Sequence, residues 1–318
     1  MPKSVLIIGA NGRLGQTLTA AFAKAGWQVH GQVRRQPPRP QSGVHWVHTP
    51  AEDTKALAET VRAATIVVHA TNPVYTQWQT QAMPLARCAI DTARRLGALL
   101  MFPGNVYNFG RPMPQLLLES TEQHPSARKG RIRVAIEQTL REAANSGLRT
   151  VVIRAGDFFG GPGRESWFDQ IIVKSLRKGK VVYPGPLNAV HAWAYLPDLA
   201  RAFVMVAEQH AALPMFEVLH FAGLELTGAD LLESLARSAR RQGLLLPNVP
   251  LQRRSLPWPL LRAAGLAVPM LREISEMRYL WYTPHRLSGE RMEKLVGKVP
   301  STPIDQAMDE TLRELFAR

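Results

Sequence analysis

Apolar and polar residues follow two different rhythms along the first half of the chain. Short runs rich in β-branched residues predict buried strands, and stretches in which apolar residues recur every three or four positions predict amphipathic helices. The predicted strands cover residues 5–8, 28–33, 44–47, 66–69, 99–102 and 151–154. Helices are predicted from Leu14 up to Gly26, over 54–63 and 82–96, and along Ile132, Ile136, Leu140 and Ala144. This regular alternation is typical of a parallel sheet covered by helices.

A glycine-rich segment, GANGRLG at residues 9–15, lies between the first predicted strand and the first predicted helix. In that position Gly9 permits a tight turn, Gly12 lets a pyrophosphate approach the backbone, and Gly15 lets the helix pack closely on the sheet. The free N–H groups of the helix N-terminus then face the phosphates of a dinucleotide. A glycine turn without a ligand is the alternative, but the surrounding strand–helix–strand unit favours dinucleotide binding. The predicted cofactor contacts of this loop are Gly9, Asn11, Gly12, Arg13, Leu14 and Gly15.

These patterns predict an α/β protein with a Rossmann-type, doubly wound parallel sheet and a smaller C-terminal substrate domain. Residues 1–159 are expected to form the dinucleotide-binding domain, completed by a strand and a helix from about 195–222. From about residue 160 prolines and glycines become frequent and the elements shorten. Residues 160–318 are therefore expected to form a smaller, interleaved substrate-binding region.

The composition is that of a globular protein, with 318 residues of which 46% are apolar. Cys88 is the only cysteine, which excludes an internal disulfide and fits a reducing compartment. No stretch approaches the roughly 20 apolar residues of a membrane span. The nearest one, residues 256–271, is interrupted by Arg262 and by three prolines. We therefore expect a cytoplasmic protein without a membrane partner.

Basic residues outnumber acidic ones, 39 to 25, and the formal net charge is +14. Such a charge attracts anionic partners, from a phosphorylated cofactor to nucleic acid. The basic residues are spread over the chain in pairs such as Arg94–Arg95 and Arg240–Arg241 and do not form a single tract. Dispersed charge of this kind is typical of solvated helix faces, and it argues against nucleic-acid binding as the main function.

The end of the second predicted strand carries Arg34 and Arg35, where NAD-binding units usually place a carboxylate for the ribose hydroxyls. A guanidinium fork pairs well with phosphate oxygens, so these two residues favour NADP over NAD. Arg13, inside the glycine loop, is expected to add a third positive group. The alternative is that Arg34 and Arg35 are only solvated surface charges.

Several segments together resemble the extended short-chain dehydrogenase/reductase group, which includes NAD(P)-dependent sugar epimerases and dehydratases. The glycine spacing is similar, residues 102–107 (FPGNVY) resemble the family's Ser-Ser-x-x-Val-Tyr loop, and residues 154–160 (RAGDFFG) resemble its Arg-Pro-x-Asn-Val-Tyr-Gly segment. Residues 194–202 resemble a later helix start of the family, and residues 302–307 with 311–312 resemble its usual last helix. The resemblance implies that Ala70 and Asn72 contact the cofactor. It also implies a substrate pocket lined by Asn72, Tyr75, Asn105, Asp157, His191 and Tyr195.

The chain departs from this family at the catalytic positions. Family members carry Tyr-x-x-x-Lys on the helix after the fifth strand, whereas this chain has Lys129 and Arg133 there, and Pro103 replaces the catalytic serine. Arg133 is a permanent donor that can hold ribose hydroxyls. Lys129 is expected to act as an acid or base if burial and the neighbouring Arg133 lower its pKa.

Two alternatives to this chemistry stand beside it. Lys129, Arg133 and Glu137 lie at four-residue spacing, which is also the pattern of an exposed ion-pair stripe on a helix. Tyr107 is the nearest phenol that could replace the family's tyrosine as proton donor, and it could equally be a packing residue. His191 stands where the family has an arginine that contacts a sugar-nucleotide phosphate, which argues against that substrate class. His191 and Tyr195 could also belong to a surface turn, and no metal-ligand spacing is present.

The leading hypothesis is an NADP-dependent oxidoreductase or epimerase-like enzyme that acts on a small polar carbonyl or hydroxyl compound. A different class is a non-catalytic NADP-binding redox sensor or regulator, as expected if the Tyr/Lys pair has been lost. An RNA-binding relative, which would use the net charge of +14, ranks below both. A homodimer is compatible with the sequence.

Overall fold

Seven parallel strands form the central sheet of the computed structural model, which describes residues 3–35, 41–246 and 249–317. The elements of the first half are β1 (Ser4–Ile8), α1 (Arg13–Lys24), β2 (Gln28–Gln32), β3 (Val44–Val47), α2 (Thr54–Thr60), β4 (Ile66–His69), α3 (Trp78–Leu96), β5 (Leu99–Asn105), β6 (Leu116–Leu117), α4 (Arg128–Asn145) and β7 (Thr150–Ala155). Short helical turns precede α3 and follow β5, at Tyr75–Gln77 and Val106–Asn108.

The second half adds shorter elements. These are β8 (Asp157–Phe159), β9 (Lys180–Tyr183), β10 (Val190–Tyr195), α5 (Leu196–Glu208), β11 (Phe216–His220), β12 (Leu224–Thr227), α6 (Gly228–Arg241), β13 (Gln252–Ser255), α7 (Trp258–Ala264), α8 (Pro269–Glu276), α9 (Arg278–Tyr282), β14 (Arg286–Leu287), α10 (Glu290–Val296) and α11 (Ile304–Phe316). A π-helical turn at Phe168–Ile172 and a 3₁₀ turn at Leu176–Lys178 lie between β8 and β9.

The central sheet has the strand order β11-β7-β5-β4-β1-β2-β3. The chain runs outward from β1 to β3 and then returns to β4 on the other side of β1, so the order reverses between β1 and β4. In sheets of this kind the ligand crevice lies at the carboxyl ends of the strands at that reversal. The predicted fold class, a doubly wound parallel sheet, is confirmed.

Residues from the second half of the chain contribute to this sheet layer. Strand β11 pairs in parallel with β7 at the sheet edge, and α5 packs against α1. The remaining C-terminal segments build a three-stranded sheet of β12, β10 and β8 and two small strand pairs, β9 with β13 and β6 with β14. Their core is rich in aromatic residues, among them Trp193, Trp258 and Trp281. The division of the chain at residue 159 stays a prediction.

Three of the predicted element boundaries, those of α2, α3 and β5, differ from the structure by three or more residues. Helix α2 ends at Thr60 because Val61 leaves the helical region and a tight turn to Ala64 follows. Helix α3 begins at Trp78, whose buried indole is anchored by a hydrogen bond from its Nε1 to the Pro73 carbonyl oxygen, 2.8 Å away. Strand β5 continues to Asn105 because its residues from Leu100 to Asn105 stay paired with β7.

None of the helices within the described residues is both long and apolar enough to cross a membrane.

Candidate functional site

The glycine loop follows β1 and borders the crevice at the carboxyl ends of β1 and β4. Gly9 has φ +83°, and a Cβ there would meet Thr71 of the loop after β4 at 2.7 Å. A Cβ on Gly15 would lie 2.2 Å from the Gly9 carbonyl oxygen, so only glycine lets α1 pack this closely on the turn. At Gly12 the nearest atom would be 3.4 Å away. Gly12 is therefore the least crowded of the three glycines and is partly exposed, as the approach of a phosphate group to its backbone requires.

Donors for that phosphate come from the first turn of α1. Helix α1 has Gly12 as its N-cap, with no side-chain cap hydrogen bond and no acidic residue in the first turn. The first N–H groups of a helix have no intrahelical partner, and the helix dipole adds partial positive charge to them. An anionic ligand can satisfy these donors without displacing a side chain. This donor set fits the pyrophosphate of a dinucleotide.

Gln32 holds the glycine loop in place, and the sequence analysis missed it. Its Oε1 accepts a hydrogen bond from the Gly9 N–H at 3.2 Å, and its Nε2 donates to the Thr49 carbonyl at 3.0 Å. Gln32 is the last residue of β2, and buried Val33 follows it. Arg34 and Arg35 come next and are both exposed, so their guanidiniums are free to meet an anion at this edge of the sheet.

Arg13 is placed differently from the expectation that it adds positive charge for the phosphate. Its side chain is buried, forms an ion pair with Asp169, and donates from Nε to the Gly160 carbonyl at 2.9 Å. Asp169 also accepts hydrogen bonds from Ser166. The Arg13 guanidinium thus ties the glycine loop to the segment after β8, and Asp169 already neutralises its charge.

Lys129, which the motif resemblance predicts to replace the family's tyrosine, lies in the first turn of α4 and is almost fully buried with 1% exposure. Its ammonium forms an ion pair with Glu273 of α8 and lies 4.4 Å from the centre of the Tyr75 ring. Burial lowers the pKa of Lys129, whereas Glu273 opposes that shift. The neighbouring cation that contributes to the shift is Arg128, and not Arg133 as expected.

The exposed ion-pair stripe considered for α4 does not form. Lys129 pairs with Glu273, and Glu137 is buried and pairs with Arg154 of β7 at 2.6 Å. Arg133 lies between them and forms no ion pair with any residue that the structure describes. The three side chains therefore point into three separate environments and do not form one solvated row.

Arg133 is held by aromatic rings. Its guanidinium carbon lies 4.7 Å from the centre of the Trp78 ring, and its Nη1 donates to the Pro103 carbonyl at 3.2 Å. The buried Nε has no hydrogen-bond partner among the described residues. Arg133 thus lies beside Pro103 with a buried donor that no described residue satisfies.

Tyr107 is close to the same turn of α4 because Gly130 lets the chain approach. A Cβ on Gly130 would lie 2.2 Å from the Tyr107 carbonyl oxygen. The Tyr107 hydroxyl lies 3.1 Å from that of Tyr75, and Tyr75 is partly exposed. Burial raises the pKa of both phenols, and that of Tyr107 is raised well above its ordinary value. Both hydroxyls therefore stay protonated at neutral pH.

Asp157 and His191 form the second polar pair of this region. His191 Nε2 lies 2.8 Å from Asp157 Oδ2, and the imidazole stacks on Trp281 with the ring centres 4.5 Å apart. His285 packs edge-on against His191, and burial lowers its pKa to about 3. The alternative of a surface turn for His191 is wrong, because its side chain is buried.

The remaining predicted site residues fall in different places. Asn105 accepts a hydrogen bond from the Tyr107 N–H at 3.0 Å, so it shapes the turn, and Asn72 is exposed on the loop after β4. Tyr195 is buried, and its hydroxyl donates to Glu310 of α11. This places the Tyr195 hydroxyl on the C-terminal helix and not on the Asp157–His191 pair. In the described part of the chain no cluster of three or more potential ligands could hold a metal ion.

The fold and the glycine loop define the class: a dinucleotide-binding protein of the Rossmann type. The family model described as "NAD dependent epimerase/dehydratase family" matches residues 5–220. The chain therefore belongs to the NAD-dependent epimerase/dehydratase family, as its motifs indicated.

Solved structures with the same fold cover the whole chain. A putative epimerase from Burkholderia cenocepacia J2315 is 17% identical with a TM-score of 0.77, covering 100% of this chain and 99% of its own. The Bordetella bronchiseptica enzyme WbmH, solved in complex with NAD+, is 17% identical with a TM-score of 0.75 and the same coverage. UDP-glucose 4-epimerase from Thermotoga maritima, solved with UDP-glucose, is 15% identical with a TM-score of 0.73, covering 98% of each chain. No protein with a curated function matches this sequence.

Proposed function

We propose that this chain is an NADP(H)-dependent oxidoreductase that reduces a small polar carbonyl compound. The observation that carries the proposal is the Tyr107–Tyr75 hydroxyl pair, which lies beside the first turn of α4, where the Lys129 ammonium is 4.4 Å from the centre of the Tyr75 ring. Both phenols remain protonated, so they suit the donation of a hydrogen bond or proton to a carbonyl oxygen. A base that removes a proton from an alcohol would need the ionised phenolate.

The residues present fit a dinucleotide. Gly12 is partly exposed, the N-terminus of α1 offers free donors for the pyrophosphate, and Arg133 lies beside Pro103 with no ionic partner among the described residues. Arg34 and Arg35 would hold the 2′-phosphate that distinguishes NADP from NAD, because a guanidinium fork matches phosphate oxygens. The Bordetella relative carries NAD+, so the preference for NADP rests on these two arginines. When bound in its reduced form, the nicotinamide supplies a hydride to the carbonyl carbon.

The chain's own residues would then handle the proton. The carbonyl oxygen gains negative charge as the carbon is reduced, and the Tyr107 hydroxyl donates its proton to that oxygen. Tyr75, hydrogen-bonded to Tyr107 and partly exposed, would return a proton from water to Tyr107. Arg133 contributes positive charge near Tyr107, which favours the phenolate that forms during the transfer.

The Asp157–His191 pair supports a small polar substrate. Asp157 is partly exposed and accepts a hydrogen bond from His191, which Trp281 orients by stacking. This arrangement offers acceptor oxygens for substrate hydroxyls. It offers no arginine to a diphosphate, which argues against the UDP-sugar that the Thermotoga relative binds.

A second candidate is a non-catalytic NADP(H)-binding regulator, and a specific observation favours it. The family's tyrosine position is occupied by Lys129, which Glu273 neutralises in a buried ion pair. A lysine ammonium held in a buried ion pair is better suited to stabilising the fold than to transferring a proton. Both candidate functions require NADP(H) binding, but only the oxidoreductase would reduce a carbonyl compound.

The experiment is a panel of small aldehydes, ketones and keto sugars, with NADPH oxidation followed by absorbance. The proposal expects turnover of at least one carbonyl compound. For that compound the change Tyr107→Phe should lower kcat by about 10²–10⁴, the usual contribution of a general acid, while NADPH affinity stays unchanged. NADPH binding without turnover of any panel member would favour the regulator.

A further inference from the structure

The hairpin formed by α7 and α8 presents an apolar surface that the described part of the chain leaves uncovered. Its exposed apolar residues are Leu260 (69% exposed), Leu266 (92%), Val268 (45%) and Met270 (39%). The alanines and prolines between them are exposed as well, so the exposed apolar row runs from Pro259 to Met270 and is interrupted only at Leu261, Arg262 and Gly265. Scattered single exposed apolar residues are ordinary, but a contiguous group of this kind marks a surface that meets another apolar phase.

The opposite side of the hairpin is fixed to the protein. Trp258 is buried, and its Nε1 donates to the Pro184 carbonyl at 2.8 Å. Glu273 and Glu276 at the end of α8 form ion pairs with Arg128 of α4. A Cβ on Gly265 would lie 2.9 Å from the Arg272 backbone nitrogen, so the two helices cross in close contact. The hairpin is therefore packed against the protein on one side, and its other side, which carries the exposed apolar residues, has no partner in the described part of the chain.

The exposed charged residues around this apolar face are all basic. Arg253 and Arg254 lie on β13 directly before α7, Arg262 lies on α7, and Arg272 lies on α8. All four are exposed, and no described residue forms an ion pair with any of them. The acidic residues of the hairpin, Glu273 and Glu276, face inward towards Arg128. The outer surface of the hairpin is thus apolar at its tip and purely basic at its flanks.

We propose that the α7–α8 hairpin docks this protein onto the surface of a membrane that contains anionic phospholipids. Apolar residues at the tip would enter the boundary between headgroups and acyl chains, and the four arginines would meet lipid phosphates. The hairpin is too short to span a bilayer, so the contact is peripheral. A protein partner would have to offer an apolar cleft with an acidic rim, whereas an anionic bilayer offers both components on any patch. The proposal modifies the expectation of no membrane partner.

Sedimentation with lipid vesicles tests this proposal. The intact chain should bind vesicles of phosphatidylcholine mixed with phosphatidylglycerol, should bind pure phosphatidylcholine at least tenfold more weakly, and should lose affinity as salt is raised. Two variants separate the components. L260D/L266D should abolish binding, and R253E/R254E should weaken it at least tenfold, because each basic residue near an anionic surface adds to the attraction.

Matched controls keep the test decisive. Met215→Asp places a charge on an exposed apolar residue outside the hairpin, and R62E/R87E makes the same change in net charge at exposed arginines elsewhere. Met215→Asp should bind vesicles within about twofold of the wild type. R62E/R87E should weaken binding clearly less than R253E/R254E does, because it makes the same change in net charge outside the hairpin. Thermal melts verify that every variant is folded. No binding to anionic vesicles, or binding that survives in both hairpin variants, would overturn the proposal. Self-association lost in L260D/L266D without vesicle binding would show that a second copy covers the face, which also overturns it.

Discussion

Lys129 of α4 and Glu273 of α8 form a buried ion pair across the boundary between the sheet layer and the C-terminal helices. Glu273 also accepts a hydrogen bond from Arg128 at 2.6 Å, so this carboxylate has two cationic partners. Lys129 has only Glu273 as an ionic partner among the described residues. The pair therefore links α4 to α8 and leaves the Lys129 ammonium neutralised by a carboxylate.

The pair predicts an asymmetric loss of stability. Glu273→Met leaves the Lys129 ammonium buried and unpaired, which should lower the free energy of unfolding by about 3–5 kcal/mol. Lys129→Met should cost less, because Arg128 still neutralises Glu273. The double variant should be more stable than Glu273→Met alone. Urea unfolding measures all three, with Glu276→Gln as a partly exposed control that should cost about 1 kcal/mol or less. Equal losses for the two single variants would contradict this.

Substitutions of Lys129 and of Tyr107 are expected to have different effects on kcat. Because Glu273 holds the ammonium, Lys129→Met should lower kcat far less than Tyr107→Phe does, for any carbonyl compound that the protein turns over. NADPH affinity should remain within about twofold in both variants. Steady-state kinetics with NADPH gives the comparison. A loss of 10²–10⁴ in the Lys129 variant alone would make Lys129 the acid and remove Tyr107 from that role.

The motifs indicated the fold and the cofactor crevice better than the chemistry of the site. The glycine loop, the strands around it and the family were predictable from local sequence. The tight turn at Gly9 and the close packing at Gly15 both require glycine, so the spacing of the glycines indicates this backbone geometry directly. The partners of Arg13 and Lys129 were not, since Asp169 and Glu273 lie 156 and 144 residues away in the chain. Helical spacing suggested that Lys129, Arg133 and Glu137 share a solvated face, but tertiary packing buries two of them.

Buried histidines predict a dependence of stability on pH. Burial lowers the pKa of His69, His220 and His285 to about 3 from an ordinary value of 6.5. These groups are neutral when folded but take up protons in the unfolded chain below pH 6.5, so stability falls as pH drops from 6.5 towards 3. Each contributes up to about 1.4 kcal/mol per pH unit.

Urea unfolding at a series of pH values checks this slope. His285→Gln should lower this slope by the share of one histidine between pH 6.5 and about 5, the range above most carboxyl titrations, because His69 and His220 remain. His124→Gln, at an exposed histidine, serves as the control and should leave the slope unchanged. Stability that is constant over this range would show that the imidazoles are accessible to protons in the folded state.

The most direct test of the central claim, that this chain takes NADP(H), compares the affinities of NADPH and NADH by tryptophan fluorescence titration. NADPH should bind at least tenfold more tightly, because charge-assisted hydrogen bonds to a phosphate contribute about 1.5–3 kcal/mol each. R34A/R35A should remove that difference by weakening NADPH alone, while Arg62→Ala, a control at another exposed arginine, should preserve it. Equal affinities of the wild type for the two cofactors, or an NADPH preference that survives in R34A/R35A, would contradict the account.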